Sequence, residues 1–486
     1  MQNEIELKLR IDTRDILRLR RHPAIRQRLN AEPLTRRLVS TYYDTPELTL
    51  LKQAVSLRVR RMSGGWFQAV KGSGHALAGL HQRFEWEDII ARGAPDFTKI
   101  TEPFLARIFA DQALRAALQP VFVTDVQRTE WQLAYEDGSE LEVALDLGLL
   151  KANGQTEPIA EVEIELKKGK AFHLFELAVA LQKTIPLQIE NMSKAERGYR
   201  HYRSPKNTVK PSKPLKLPKK TDTHEGFQAV VLDCLQQLQN HQEAAANGEI
   251  EATHQMHITL RRLKIAFRLF GQQHVPLTAE LDWLNALIGE TRNWDVLMDE
   301  TLPQALGANS AYEALLSGAN RRKTACRKKL QVALASQRYQ ALLLQLGLLA
   351  TRKPQENKKP LGKWLRQQLR KLTGSLPWQQ QRLSDLKPAE LHRTRIRIKR
   401  LRYGQCFFGA ASYQLLPARH LINLQKQLGR LNDMHVGKQL IQRLLARLPP
   451  ADRQDIRAVF SLWQSKSAEK AGAQMEASWA KLQKHR

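Results

Sequence analysis

Along the first 200 residues, apolar and polar positions alternate with a period of two in eight separate runs. The segments 3–11, 38–44, 54–61, 66–71, 82–90, 121–135, 140–147 and 159–167 carry this alternation, which predicts β-strands. Asp137-Gly138 falls between two of them and predicts a hairpin turn. Helical spacing occupies 13–29, 99–117, 171–184 and 193–202. From residue 222 onward the spacing is helical throughout, rich in Leu, Gln, Ala and Arg. Between the two regimes, 204–220 contains four Pro, six Lys and no acid, the composition of an extended, solvated linker. The expected fold is therefore α+β and multidomain. Residues 1–203 form one module, 204–221 a basic linker and 222–486 an all-α module.

The polar phase of the alternation is unusual. Glu4, Glu6 and Lys8 share one face of the first strand, and Glu161, Glu163 and Glu165 share one face of the last. Arg58 and Arg60 share a face, as do Arg83, Glu85 and Glu87, and Glu142 and Asp146; Lys71 and Arg128 also fall within strands. A charged face turned to solvent would be an ordinary half-exposed sheet. Turned inward in a closed antiparallel barrel, it would line a lumen crowded with both signs. Arg and Lys bind phosphate oxygens by charge-assisted hydrogen bonds. Clustered carboxylates bind a hard divalent cation such as Mg²⁺ or Mn²⁺. A polyphosphate with its metal is the ligand that needs both sets at once.

Charge separates the two modules. The chain has a net charge of +29, from 77 Lys and Arg against 48 Asp and Glu. Residues 1–203 hold 30 of those bases and 27 of the acids, leaving 47 against 21 for the remainder. The helical part thus carries nearly all the excess and fits a polyanionic partner. No aromatic-interleaved RNA motif or zinc finger points to nucleic acid. Cys234, Cys326 and Cys406 form neither a metal-ligand spacing nor a disulfide framework, which fits a reduced cytosol. The first residues lack a basic, apolar signal segment, and no run of about 18 apolar residues could span a membrane. A cytoplasmic protein is expected, with its oligomeric state left open.

The first module carries Glu4-x-Glu6-x-Lys8, Tyr42-Tyr43-Asp44-Thr45-Pro46, Leu57-Arg58-x-Arg60, Lys71, His81-x-Arg83-x-Glu85, Arg128, Asp146, Glu161-x-Glu163-x-Glu165 and Ser193-Lys194-x-x-Arg197-Gly198-Tyr199. This ordered set resembles the CYTH, or triphosphate tunnel metalloenzyme, superfamily. The resemblance implies an eight-stranded antiparallel tunnel with flanking helices that acts on triphosphate compounds with a divalent metal. It implies phosphate ligands at Lys8, Arg58, Arg60, Lys71, Arg83, Arg128 and Lys194. It implies metal ligands, for Mg²⁺ or Mn²⁺, at Glu4, Glu6, Asp146, Glu161 and Glu163. No single side chain is assigned as general base.

The helical module contains an internal repeat. His254-x-x-His257-x-x-x-Arg261-x-x-Lys264 recurs as His392-x-x-Arg395-x-x-x-Lys399-x-x-Arg402, 138 residues later. A duplicated bundle is expected, with four helices in each half. His254, Arg261, Lys264 and Arg268 fall on one helical stripe, and His392, Arg395, Lys399 and Arg402 on another. These stripes, with Arg262, Arg292-Asn293-x-Asp295 and Leu428-Gly429-x-Leu431-Asn432-Asp433, resemble the CHAD domain over about residues 222–450. His257 stands where that family usually has Arg, and Asn293 where it usually has Asp. The resemblance implies that the basic residues bind inorganic polyphosphate.

Together the modules resemble fused bacterial inorganic triphosphatases. The expectation is metal-dependent hydrolysis of inorganic triphosphate to pyrophosphate and phosphate. Hydrolysis of thiamine triphosphate, cyclisation of ATP in the same tunnel, and a non-enzymatic polyphosphate scaffold remain open beside it.

Overall fold

Strand formation follows the period-two runs in all eight places. The structure, a computed structural model, describes residues 2–62, 64–72, 75–77, 79–202, 215, 217–218, 220–272, 276–306, 312–352, 359–407, 415–446 and 448–485. Most of the linker at 204–221 and the side chain of Arg83 therefore lie outside the described residues. The strands are β1 (Gln2–Ile11), β2 (Leu34–Asp44), β3 (Val55–Met62), β4 (Gly65–Gly72), β5 (His75–Leu77), β6 (Leu80–Ile90), β7 (Gln119–Ala134), β8 (Glu140–Ala152), β9 (Gln155–Lys168) and β10 (Leu187–Ile189). The three-residue strands β5 and β10 are too short to leave a periodic trace in the sequence.

Pairing runs β1-β9-β8-β7-β2-β3-β4-β6, and β6 pairs back onto β1, so eight antiparallel strands close a circuit. Strand β1 closes it by using both edges. Glu6–Arg10 bond to β9, Gln2–Leu7 to β6 and Leu9–Ile11 to β10. The turn at Asp137-Gly138 joins β7 to β8. Gly138 takes φ +79°, and Asp137 Oδ1 accepts from the Ser139 N–H at 3.1 Å.

Because charges occupy the inward face, apolar residues of the other face are covered from outside. Leu57 and Val70 pack under the helices Pro103–Phe109 and Gln112–Ala117, with Leu105, Phe109 and Leu114. The helical run at 13–29 breaks into Thr13–Asp15, Ile16–Arg20 and Pro23–Arg26. Pro23 lacks the N–H needed to continue a helix and instead starts a new one capped by His22. The helix Lys194–Arg200 is held by a reciprocal cap between Ser193 and Glu196. It brings Tyr199 and Ala195 onto Leu38, Tyr42, Phe122, Val126, Leu150, Ala152 and Ile159. Leu38, Tyr42 and Val126 share the charged face and line its cavity. This apolar cluster therefore forms part of the lumen wall.

The helical unit contains two sets of four long helical segments among the described residues. The first set is Thr223–Ala246, Ile250–Leu269, Leu277–Leu306 and Glu313–Ala335; the second is Leu361–Gly374, Pro388–Cys406, Ala418–Leu445 and Pro450–Gln483. The third segment of the first set passes through a π-helical stretch, Leu297–Thr301. The repeated basic motif lies on the second helix of each set. One helix, Gln337–Thr351, stands between the sets. By its contacts, the segment Gln337–Lys353 joins the first compact unit, with Met1–Thr208, while Val209–Ser336 and Pro354–Arg486 form the second. A division at the basic linker alone does not anticipate this grouping.

Gly198 is where the helix of Lys194 meets the barrel. A Cβ there would stand 2.4 Å from the Phe122 ring. Gly198→Ala is expected to cost about 1–3 kcal/mol in a denaturant melt, the usual range for overpacking. Gly374→Ala, with nothing within 4 Å of its new methyl, serves as the near-neutral control.

Candidate functional site

The inward face encloses a cavity of about 640 Å³. Six of the seven expected phosphate ligands, Lys8, Arg58, Arg60, Lys71, Arg128 and Lys194, line it, as do Glu4, Glu6, Asp146 and Glu163. Strands β1, β3, β4, β7, β8 and β9 each contribute, because one phase of the alternation points inward around the ring. Arg83 pairs through its backbone with Glu4. Glu161 is buried but does not line the cavity; it lies against Lys194 at 2.7 Å and bonds Arg197. Arg197 also holds Glu157 and the Pro158 carbonyl.

The crowded charges coexist because acids and bases interleave. Lys71 bonds Glu4 at 2.8 Å and lies 3.0 Å from Glu85, and Arg58 bonds Glu85 at 2.9 Å. Arg128 forks onto Asp146 at 2.7 and 2.6 Å and also bonds Glu163. Lys8 bonds Glu163 and lies 2.9 Å from Glu6. Lys194 lies 2.8 Å from both Asp146 and Glu163. Burial pushes the Glu4 carboxyl up, but Lys71 and Lys8 outweigh it and hold it at about 2. Burial likewise opposes the charged form of Glu163, yet Lys194, Lys8 and Arg128 keep its pKa well below the carboxylate range. For Glu6 burial wins over Lys8 and raises the pKa.

Arg60 is different. Its Nε donates to Ser40 Oγ at 3.0 Å, and among the described residues no carboxylate lies within ion-pair reach. Burial, then Arg58 and Arg128, push its pKa down to about 10. A partly buried guanidinium without a carboxylate partner suits an anionic ligand.

Four charged lining residues escaped the sequence reading: Arg36, Glu102, Glu130 and Lys167. Arg36 bonds both oxygens of Glu130 at 2.8 and 2.9 Å. Arg36 sits two positions from Leu38 and four from Ser40, Glu130 two from Arg128, and Lys167 two from Glu165. Extending the period-two faces would have found these three; Glu102 precedes the helix Pro103–Phe109, off the strands.

The donor set suits a hard divalent ion, since every acidic residue lining the cavity offers carboxylate oxygen. Among the described residues, however, no group of three donors is already arranged to hold an ion. The carboxylates are occupied by Lys and Arg instead. Metal binding at Glu4, Glu6, Asp146 and Glu163 would therefore require those cations to find other anions, and phosphate oxygens are anions that the eight lining cations suit.

In the helical unit the two basic stripes influence one another. Burial lowers the pKa of Arg261, of Arg395 and of Lys399, and the effect of Arg261 is felt at both Arg395 and Lys399. His254, His257, Arg292, Arg402 and Asp433 join the same electrostatic cluster. Arg262 does not share it: it is 6% exposed and pairs with Asp233 at 2.9 Å on the neighbouring helix. Lys264 pairs with Asp282, Arg268 lies near Arg400, and His392 is exposed.

Comparison with known proteins agrees with this division. Residues 229–483 match the CHAD domain and residues 2–199 the CYTH domain. The chain belongs to the CHAD family and carries a CYTH domain ahead of it. Over 202 residues it is 34% identical to an inorganic triphosphatase of Haemophilus influenzae, covering 41% of this chain and 55% of that protein. It thus spans about half the length of the curated relative it matches. The CHAD domain structure from the plant Ricinus communis is similar at 26% identity, covering 55% of this chain and 95% of that one, with a TM-score of 0.47. A putative adenylyl cyclase from Hippeastrum, described as having a dominant triphosphatase activity, is 16% identical, covering 42% of this chain and 98% of that one, with a TM-score of 0.31. No described helix of this CYTH–CHAD chain is long and apolar enough to cross a membrane.

The CHAD cluster has a pH signature. Burial, then Arg261 and Arg395, lower the Lys399 pKa from its ordinary 10.5 to about 7. Between those values the unfolded chain binds a proton at this lysine that the folded chain does not, so stability rises with pH across that window. Relative to Lys399→Met, the wild-type chain should gain unfolding free energy from pH 7 to pH 10. Paired denaturant melts at the two pH values measure it, and a difference that does not change with pH would contradict the assignment.

Proposed function

We propose that the CYTH tunnel hydrolyses inorganic triphosphate to pyrophosphate and phosphate with Mg²⁺ or Mn²⁺, and that the CHAD unit binds inorganic polyphosphate. The observation that carries the first part is the partly buried Arg60, without an acid partner among the described residues, among seven further cations lining one lumen. Those eight cations suit a chain of phosphates. The 34% identity to an inorganic triphosphatase over the CYTH part supports the same reading. Residues 1–203 would then house the chemistry and 222–486 the polyanion-binding surface. Three unpaired cysteines fit a reduced, cytoplasmic setting.

In this reading Arg58, Arg60, Lys71 and Lys8 bind and orient phosphate oxygens, and Arg128 and Lys194 steady the end of the chain nearest Asp146 and Glu163. Binding draws cations away from carboxylates, and Glu4, Glu6, Asp146 and Glu163 become free to hold the ion. The bound ion would supply charge stabilisation and a more acidic water. Fixed positive charge around the transferred phosphoryl supplies most of the remaining catalysis. Leu38, Tyr42 and Val126 limit water along part of the wall.

A substrate panel of triphosphate, ATP, thiamine triphosphate and pyrophosphate, with and without EDTA, tests the assignment. Triphosphate with Mg²⁺ or Mn²⁺ should be turned over fastest, and EDTA should abolish turnover. Glu4→Gln and Glu163→Gln should abolish activity while the fold survives. Arg58→Ala and Arg60→Ala should each lower kcat/KM more than about tenfold, the scale of a charge-assisted bond. Arg61→Ala should not, since Arg61 lies on the exposed face over Trp66.

For the CHAD unit, the cluster of Arg261, Arg395, Lys399 and Arg402 supports a polyanion site. Affinity of the full chain for long-chain polyphosphate should fall steeply with salt, because bound counterions are released. Reversing Arg395, Lys399 and Arg402 to Glu should weaken binding without changing triphosphate turnover. The same reversal at the exposed Arg322, Lys328 and Lys329 should matter less. Equal losses would mean diffuse charge attraction rather than a site.

A further inference from the structure

The helix Gln337–Thr351 has no counterpart in the duplication. The repeat offset of 138 residues carries the first helix set onto the second and leaves this helix between them. Its residues Tyr339, Gln340, Leu342, Leu343, Leu344, Leu346, Gly347 and Ala350 are buried. The segment belongs to the first compact unit. The helix packs on Phe172–Gln182, whose Leu174, Phe175, Leu177, Ala178 and Leu181 are themselves buried. The approach is close: a Cβ on Gly347 would stand 2.2 Å from the Phe175 ring.

Two glutamines of the helix, Gln337 and Gln340, are engaged at one edge of the sheet. Strand β10 lies at the end of the sheet order, with β1 on one side only. Its alternate N–H groups, at Leu187 and Ile189, are both met by glutamines. Gln182 Oε1 accepts from Leu187 at 3.0 Å, and Gln340 Oε1 accepts from Ile189 at 3.1 Å. Gln182 Nε2 in turn donates to Gln337 Oε1 at 2.6 Å. An edge strand of three residues is marginal by itself, and covering its free edge is one way to hold it.

What β10 holds is the catalytic strand. Leu9 pairs with Ile189 and Ile11 with Leu187. The next residue, Glu190, donates its N–H to the Lys8 carbonyl at 2.9 Å. Asn191 Oδ1 accepts from Gly79 N–H at 2.9 Å, and Gly79 O accepts from Lys8 N–H at 3.0 Å. Gly79 also has Ile189 against it, 2.7 Å from where a Cβ would be. The Lys8 carbonyl is therefore tied directly, and its N–H indirectly through Gly79 and Asn191, to the segment whose Ile189 N–H rests on Gln340. Lys8 lies in the lumen between Glu6 and Glu163.

We propose that Gln337–Thr351, with Gln340 at its centre, is a positioning element of the CYTH tunnel. The chain leaves the CHAD unit at Ser336, lends this helix to the wall behind β10 and β1, and returns after residue 353. Lys8, Glu6 and Glu4 keep their register in the lumen through it. The catalytic consequence rests on the function proposed above; the structural one does not.

The test uses the full chain. Gln340→Leu removes the acceptor of the Ile189 N–H with little change in volume. Gly347→Leu forces the helix off Phe175. In Gln340→Leu, amide hydrogen exchange at Leu187–Ile189 and Leu9–Ile11 should rise between about twofold and tenfold, the effect of one lost hydrogen bond. The helix Ile250–Leu269 should exchange as in wild type and serve as internal reference. Gly347→Leu should raise exchange at the same strands further, and Phe175→Ala in that background should restore part of the protection. KM for triphosphate should rise in Gln340→Leu at an unchanged melting temperature. Unchanged exchange at β10 and β1 in both single variants would overturn the proposal. So would a uniform rise across the chain, or a fall in kcat at constant KM, which reports only a smaller folded fraction. Altered exchange in a chain inactive on every triphosphate would leave the positioning role standing and remove the function it was thought to serve.

Discussion

A barrel whose inward face is largely charged can draw only part of its cohesion from its own interior. Lys8, Arg58, Lys71, Arg128 and Lys194 are tolerable in the lumen only because each meets a carboxylate, and such pairs do little more than offset their own desolvation. Net stabilisation must come from apolar burial elsewhere. The CYTH unit meets this need with three coverings. Leu105, Phe109 and Leu114 cover β3 and β4, Phe172–Gln182 covers the side of β1 and β9, and Tyr199 packs on an apolar stretch of the lumen wall. The outside-in core explains why short helices and loops that carry no chemistry are nonetheless buried.

The same constraint governs the CHAD unit with opposite accounting. In the tunnel nearly every cation has an acid, and Arg60 stands out for lacking one among the described residues. In the helical cluster the cations chiefly face each other, and Asp433 is the main acid among them. Burial first, and then neighbouring cations, lower the pKa of Lys399 and Arg261. A phosphate chain, the ligand proposed for both units, would relieve each of them, by exchange of partners in the tunnel and by neutralisation in the bundle.

Much of this was legible in the sequence, and the misses have physical causes. Period two located all eight barrel strands and, through parity, the inward charges, because a strand leaves no freedom about which face a residue takes. Arg36, Glu130 and Lys167 obeyed the same parity but lay beyond the motifs. Arg262 was misplaced by adjacency: one residue from Arg261 is 100° around a helix, and it pairs with Asp233 instead. Glu161 kept the right parity but lies behind Lys194, at a depth parity does not encode. The helix Gln337–Thr351 has an apolar pattern like its neighbours, and nothing in such a pattern says which unit will bury it.

That helix also sets the order in which the protein can be finished as it is made. Gln340 meets Ile189 across 151 residues of chain, and the last barrel strand of the ring, β9, ends at Lys168. At a synthesis rate of about 5–20 residues per second, the barrel waits roughly 8–30 seconds for its final covering. During that interval the face around Phe175 is an apolar surface without its partner, next to an edge strand with open N–H groups. A newborn chain of this design carries an aggregation-prone surface after all the charged residues of its lumen have been synthesised, and the first half of the CHAD bundle must emerge before that state ends.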